Sequence, residues 1–249
     1  MDKPLLILSI PNCGSDWLAR TLFESQSELR YYREFFNPIT NIKYADVLKN
    51  EFGCEYIECY KNIAKFDETK CQKIYEQTWE LESYNFTKEN YSAFKVDFFA
   101  KNFRCIALRR SVYKSLPASR ESQVNSWYNT IYHSMLSNID YLPFEYAQIL
   151  KKHNQDNRGI VINNVMAFVI YQKILSKNCE NNNIKILDYD VLTSFNEKNL
   201  GVYLDSFSNW IKVDRWIAKI VETRKPPVKP NYKNLNCDDV LKLFNYKML

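Results

Sequence analysis

The sequence predicts an α/β fold, and three stretches predict it. Leu5-Leu6-Ile7-Leu8-Ser9-Ile10, Phe103-Arg104-Cys105-Ile106-Ala107-Leu108 and Ile184-Lys185-Ile186-Leu187 are short apolar runs, each followed by turn residues or charges and then by a helical stretch. The first lacks the alternation of a half-exposed strand, so it reads as a fully buried, parallel one. The second reads as buried in the same way, and the third as a strand with an exit turn. At 249 residues the chain is expected to form one domain, residues 1–249, with room for a sizeable core.

Pro11, Asn12 and Gly14 end the first run. A helix is predicted from Ser15 or Asp16, both N-cap types, through Trp17, Leu18, Leu22 and Phe23. Strand, tight loop and helix in this order aim backbone N–H groups at a phosphate, and Gly14 permits a close approach. The loop is not that of nucleoside triphosphatases, which needs G-x-x-x-x-G-K-[ST]; no lysine follows Gly14. Next, aromatic and charged residues interleave from Leu29 to Phe36, and Asn37-Pro38 stops the stretch. Residues 43–90 read as mostly helical and amphipathic with a turn at Gly53, and carry no motif; Cys54–Tyr60 fits a short strand or a helix start.

Further on, residues 93–99 read as strand-like. The buried run ending at Leu108 leads straight into Arg109-Arg110, and a long helix is predicted from Ser111. An arginine at the carboxyl end of a strand is a forked, permanently charged donor suited to phosphate. Ser119 lies nine residues after Arg110, with Pro117 between them forbidding a regular helix; Ser115 is the other serine within reach. The aromatic-rich stretch from Gln123 to Tyr146 suits either an acceptor pocket or ordinary core. Residues 160–177 form an apolar core helix, and another helix is expected within 197–210. The tail carries Thr223-Arg224-Lys225-Pro226-Pro227, Asn231-Tyr232 and a helix over 238–244.

Four of these elements resemble, in order, those of sulfotransferases that use 3′-phosphoadenosine 5′-phosphosulfate (PAPS), with the nearest likeness to bacterial trehalose 2-sulfotransferase-like enzymes. Their phosphosulfate loop reads about P-[KR]-[ST]-G-[ST]-[ST]-x-L, often with Trp at x. Pro11, Gly14, Ser15, Trp17 and Leu18 match it, and Cys13 is a near match. Two positions depart: Asn12 stands where the family has a cation, and Asp16 where it has a hydroxyl. Glu34-Phe35-Phe36-Asn37-Pro38 is similar to the segment that carries the proposed general base, which would be Glu34. The Arg109-Arg110 junction, with Ser119 or Ser115, resembles the 3′-phosphate motif, and Ile184–Leu192 the late strand with its Tyr-Asp turn. Lys95 resembles a lysine of related enzymes, and Arg224 and Lys225 the basic loop near the 3′-phosphate.

The resemblance implies a P-loop-like three-layer α/β/α fold with a central, mainly parallel sheet and ligands at the strands' carboxyl ends. It implies sulfuryl transfer from PAPS, as co-substrate, to a hydroxyl of a carbohydrate or other small acceptor. Glu34 would be the base and Asn12 would stand at the catalytic cation's position. Pro11, Cys13, Gly14, Ser15 and Asp16 would hold the phosphosulfate, and Trp17 would stack on adenine. Asp16 then has to point away, cap the helix or be neutralised by Arg20, and Arg20 or Arg33 would replace the missing cation. Two alternatives stand beside this reading: a catalytically inactive nucleotide-binding or accessory protein of the same fold, and another phosphate-handling enzyme such as a small-molecule kinase.

Composition narrows the classes. The net charge of +5, from 34 Lys and Arg against 29 Asp and Glu, suits an anionic ligand, but no basic cluster marks a nucleic-acid surface. The seven cysteines are scattered without a C-x-x-C pair, as free thiols in a reducing cytoplasm would be. No apolar run has the length of a signal core or a membrane span. The two histidines, His133 and His153, sit in no ligand cluster, and no metal is expected.

Overall fold

In the computed structural model of the chain, the described residues are 3–11, 13–34, 67–78, 84–90, 92–115, 121–156 and 160–224. The architecture is α/β: a five-stranded, all-parallel sheet flanked by helices. The strands are β1 (Leu5–Leu8), β2 (Tyr31–Arg33), β3 (Phe86–Glu89), β4 (Arg104–Arg109) and β5 (Ile186–Asp188), in the order β2-β3-β1-β4-β5. In sequence order the described helices are α1 (Ser15–Ser25), α2 (Glu68–Thr78), α3 (Val96–Asn102), α4 (Val112–Ser115), α5 (Glu121–Ser137), α6 (Phe144–Asp156), α7 (Ile160–Asn181), α8 (Tyr189–Ser194), α9 (Glu197–Leu204) and α10 (Val213–Thr223).

β1 runs down the middle because all four of its residues, Leu5 to Leu8, are apolar and can be covered on both faces; each is buried. β3 lies on one side in the register Leu5↔Phe86, and β4 on the other in the register Leu5↔Arg104. The chain leaves β1 towards β2 and β3 and later returns on the opposite side for β4 and β5. β1 is therefore where the strand order reverses, the place at which parallel sheets open a crevice beyond their strand ends. α7 packs against α5, Trp216 of α10 is fully buried, and its Nε1 donates to Thr21 of α1 at 3.1 Å. No helix among the described residues is long and apolar enough to cross a membrane.

The structure departs from the sequence reading in several places. Residues 93–99 are not a strand: Ser92–Phe94 is a 3-10 turn and α3 follows. A short apolar run fits a buried helix as well as a strand, and here Phe98 and Phe99 pack beneath the sheet from a helix. Of the helix expected from Ser111, α4 (Val112–Ser115) is described, and residues 116–120 after it lie outside the described residues. The mostly helical reading of 43–90 holds for α2 and fails at β3. The stretches around Gly53 and Cys54–Tyr60, and the tail beyond Arg224, lie outside the described residues.

Candidate functional site

The loop between β1 and α1 is built around one glycine. Gly14 takes φ 89°, in the left-handed region, and itself caps α1; Ser15 and Asp16 are the first two helical residues instead of the cap. A side chain at Gly14 would overlap the ring of Tyr189, which leans on the loop from the start of α8. Leu18 N–H donates to Gly14 O at 3.0 Å and closes the first turn. The N–H groups of Ser15, Asp16 and Trp17 thus head the helix without intrahelical acceptors, which is the donor array an anion uses. From the far side Tyr128 of α5 donates its hydroxyl to Pro11 O and anchors the loop. Cys13 is buried beneath it, and burial pushes its thiol up to about 12 despite the Arg110 charge nearby.

Beyond the ends of β1, β2 and β3 lies a polar cluster. Lys88, on β3, is fully buried, and its Nζ lies 2.5 Å from Glu34 Oε1 and 3.0 Å from Asp16 Oδ1. Asn90 donates from Nδ2 to the same Glu34 oxygen at 2.5 Å. Its Oδ1 accepts from Ser9 Oγ at 2.7 Å and from Ser15 Oγ at 2.8 Å. A lysine without water around it demands opposite charge, and the two carboxylates supply it. Glu34 follows directly on β2 and is held at φ 43°, a conformation that costs a residue with a side chain on the order of 1–3 kcal/mol. Such strain persists only where surrounding contacts hold it, here Lys88 and Asn90.

A second group of side chains stands at the end of β4. The Arg110 guanidinium lies 4.3 Å from the centroid of the Tyr189 ring, a cation–π contact. Its Nε is buried without a hydrogen-bond partner. The buried hydroxyl of Ser115 also lacks a partner of good geometry, although it lies close enough to the Cys13 sulfur to lower that thiol's pKa slightly. Trp17 meets Tyr189 edge-on, with centroids 5.1 Å apart, and donates from Nε1 to Thr223 at 3.2 Å. Burial raises the Tyr189 phenol above its usual range, with Arg110 opposing.

The structure thus brings Pro11, Cys13, Gly14, Ser15, Asp16, Trp17, Glu34 and Arg110 to one end of the sheet. Arg109 is used otherwise: its Nε donates to Asp188 Oδ2 at 3.3 Å, and Asp188 in turn caps α8. Arg224 donates to the Phe195 carbonyl at 2.6 Å. Arg20 does not neutralise Asp16; it pairs with Glu24 at 2.6 Å, four residues on along the surface of α1. Lys95 caps α3 and, among the described residues, makes no ion pair with this cluster. Asn12, Ser119 and Lys225 lie outside the described residues.

Sequence reasoning missed Lys88 and Asn90. The one local signal was the pair of β-formers Phe86-Thr87 between Asn85 and Asn90, too short a run to mark a strand without its neighbours. Fold and site together define a parallel α/β protein with an anion-type loop and a buried charge cluster at the strand ends. Comparison with protein-family models, with curated proteins and with solved structures finds no match to this chain.

Proposed function

We propose that the chain is a PAPS-dependent sulfotransferase acting on a hydroxyl of a carbohydrate or other small acceptor. The observation that carries this reading is Glu34 itself: a carboxylate held in a strained conformation beside a buried lysine, at the mouth of a loop built for an anion. The acceptor oxygen attacks sulfur, the bond from sulfur to the 5′-phosphate oxygen breaks, and the acceptor proton passes to Glu34. The leaving 3′,5′-adenosine bisphosphate gathers negative charge. The N–H groups of Ser15, Asp16 and Trp17 face that charge, and Lys88, paired with Asp16, is a buried cation beside them. Arg110, with its unpartnered Nε, is the residue assigned to the 3′-phosphate. The reading puts the protein in a reducing cytoplasm, which the free, buried thiols of Cys13, Cys71, Cys105 and Cys179 support.

A binding role without turnover is the second reading. It is favoured by the double engagement of Glu34 Oε1, which already accepts from Lys88 and Asn90. Isothermal titration with 3′,5′-adenosine bisphosphate, adenosine 5′-monophosphate and ATP tests the donor class. A preference for the bisphosphate is expected, whereas tighter ATP binding would point to a kinase. Turnover with PAPS then separates catalysis from binding. In Glu34→Gln the rate should fall about 10²-fold or more while the bisphosphate Kd moves little. An unchanged rate would return Glu34 to a structural role.

A further inference from the structure

We infer that Asp16 is a built-in competitor for the anionic ligand: its carboxylate pairs with Lys88 and has to leave when a phosphate or phosphosulfate group arrives. The inference rests on the functional reading above and concerns how that same site is controlled. Two carboxylates share Lys88, and they differ in their exposure to water. Glu34 is 4% exposed, is also bonded by Asn90, and follows directly on β2. Asp16 is 66% exposed and stands in the first turn of α1, on the water-facing side of the lysine. Its position is also the one an incoming anion needs. It lies at the positive end of α1, beside the leading N–H groups, and against Lys88, a cation fully buried at the strand ends.

An anion of two or more charges cannot share that volume with a carboxylate at little cost, so binding and the Asp16–Lys88 pair exclude one another. In the exchange Lys88 Nζ passes from the Asp16 carboxylate, 3.0 Å away, to the incoming anion, while its contact with Glu34 remains. The departure of Asp16 from the hydroxyl-bearing loop pattern then lowers affinity for any anion that has to displace it.

Titration of 3′,5′-adenosine bisphosphate into wild type and Asp16→Asn tests the exchange, alongside thermal melts of both proteins without ligand. Asp16→Asn should bind about tenfold tighter or better, a gain of about 1.4 kcal/mol per decade. Its ligand-free form should melt lower, because Lys88 has lost one of its two counter-charges. A tighter-binding variant whose ligand-free melting point is unchanged or raised would reduce Asp16 to simple repulsion and overturn the exchange. The same substitution is then made in the background Lys88→Met/Glu34→Gln, which removes both buried charges together so that neither is left alone. There the gain should shrink; an equal gain in both backgrounds also overturns the proposal. If the bisphosphate binds no variant but inorganic pyrophosphate binds Asp16→Asn more tightly than wild type, the exchange stands and the sulfotransferase reading falls. If pyrophosphate and bisphosphate both bind the two proteins equally, the exchange itself is wrong.

Discussion

Adjacent arginines at the end of β4 have separate fates: Arg109 is the last residue of β4 and Arg110 lies just beyond it, and the two side chains take different partners. Arg109 reaches Asp188 on β5, its partner in the parallel register, and Asp188 is already committed to capping α8 through the N–H groups of Asp190 and Val191. Arg110 rests on Tyr189 with its Nε unpartnered. Substitution by alanine should therefore split the pair. Arg109→Ala is expected to lower the free energy of unfolding by about 1–3 kcal/mol, because it strips a hydrogen-bonded partner from a largely buried carboxylate. Arg110→Ala should change stability by less than about 1 kcal/mol, since it removes a partly exposed cation–π contact and also the penalty of an unpaired Nε. Instead it should weaken binding of 3′,5′-adenosine bisphosphate much more than that of adenosine 5′-monophosphate. Equal losses for the two nucleotides, in a titration of both variants, would remove Arg110 from the 3′-phosphate.

At the scale of elements, the loop after β1 is held in a vice between α5 and α8. Tyr128 reaches it from one side and Tyr189 covers Gly14 from the other. Tyr128 is fully buried and Pro11 is buried, so the bond between them is made away from bulk water. Tyr128→Phe keeps the ring and leaves the Pro11 carbonyl without this donor, a loss of about 1–3 kcal/mol by urea unfolding. Nucleotide affinity should fall as well, because the loop loses its anchor; full affinity in a destabilised Tyr128→Phe protein would show that the loop is held elsewhere. The elements that could be read from sequence are those whose neighbours do not matter. β1 and β4 announce themselves as continuous apolar runs, and Gly14 and Glu34 by their local context. β3 could not be read in this way. Its four residues, Phe-Thr-Lys-Glu, look half polar, yet all are buried, and Lys88 can be buried only because residues 16 and 34 arrive from other elements. The misreading of α3 has the same root: seven residues do not show a period until their packing partners are known.

At the scale of the whole molecule, the sheet and its helices bury thiols and phenols and so raise their pKa values above those of the unfolded chain. Burial pushes Cys13 and Cys179 up to about 12 and Cys71 to about 11, and raises Cys105 further. Tyr75 is pushed up to about 12, and Tyr171 is raised more strongly by its complete burial. In the unfolded chain these thiols lose their protons near pH 8.5 and the phenols near pH 10. Between those values and the folded ones the unfolded state binds fewer protons than the native state, so the free energy of unfolding decreases as pH rises. The stabilisation is whole below about pH 8.5 and is lost progressively through about pH 11–12, with an upper bound near 1.4 kcal/mol per pH unit for each group. Urea midpoints measured at about pH 8, about pH 9.5 and about pH 10.5 should therefore decline, with thiols dominating the first interval and phenols joining in the second. Cys13→Ala should cost stability at neutral pH by leaving a small cavity under the loop, yet flatten the decline, since one titrating group has gone. A midpoint independent of pH over this range would mean that the buried thiols reach water in the native state. The core beneath Arg110 and the loop would then be open to solvent, and Arg110 would not have an Nε sealed from water.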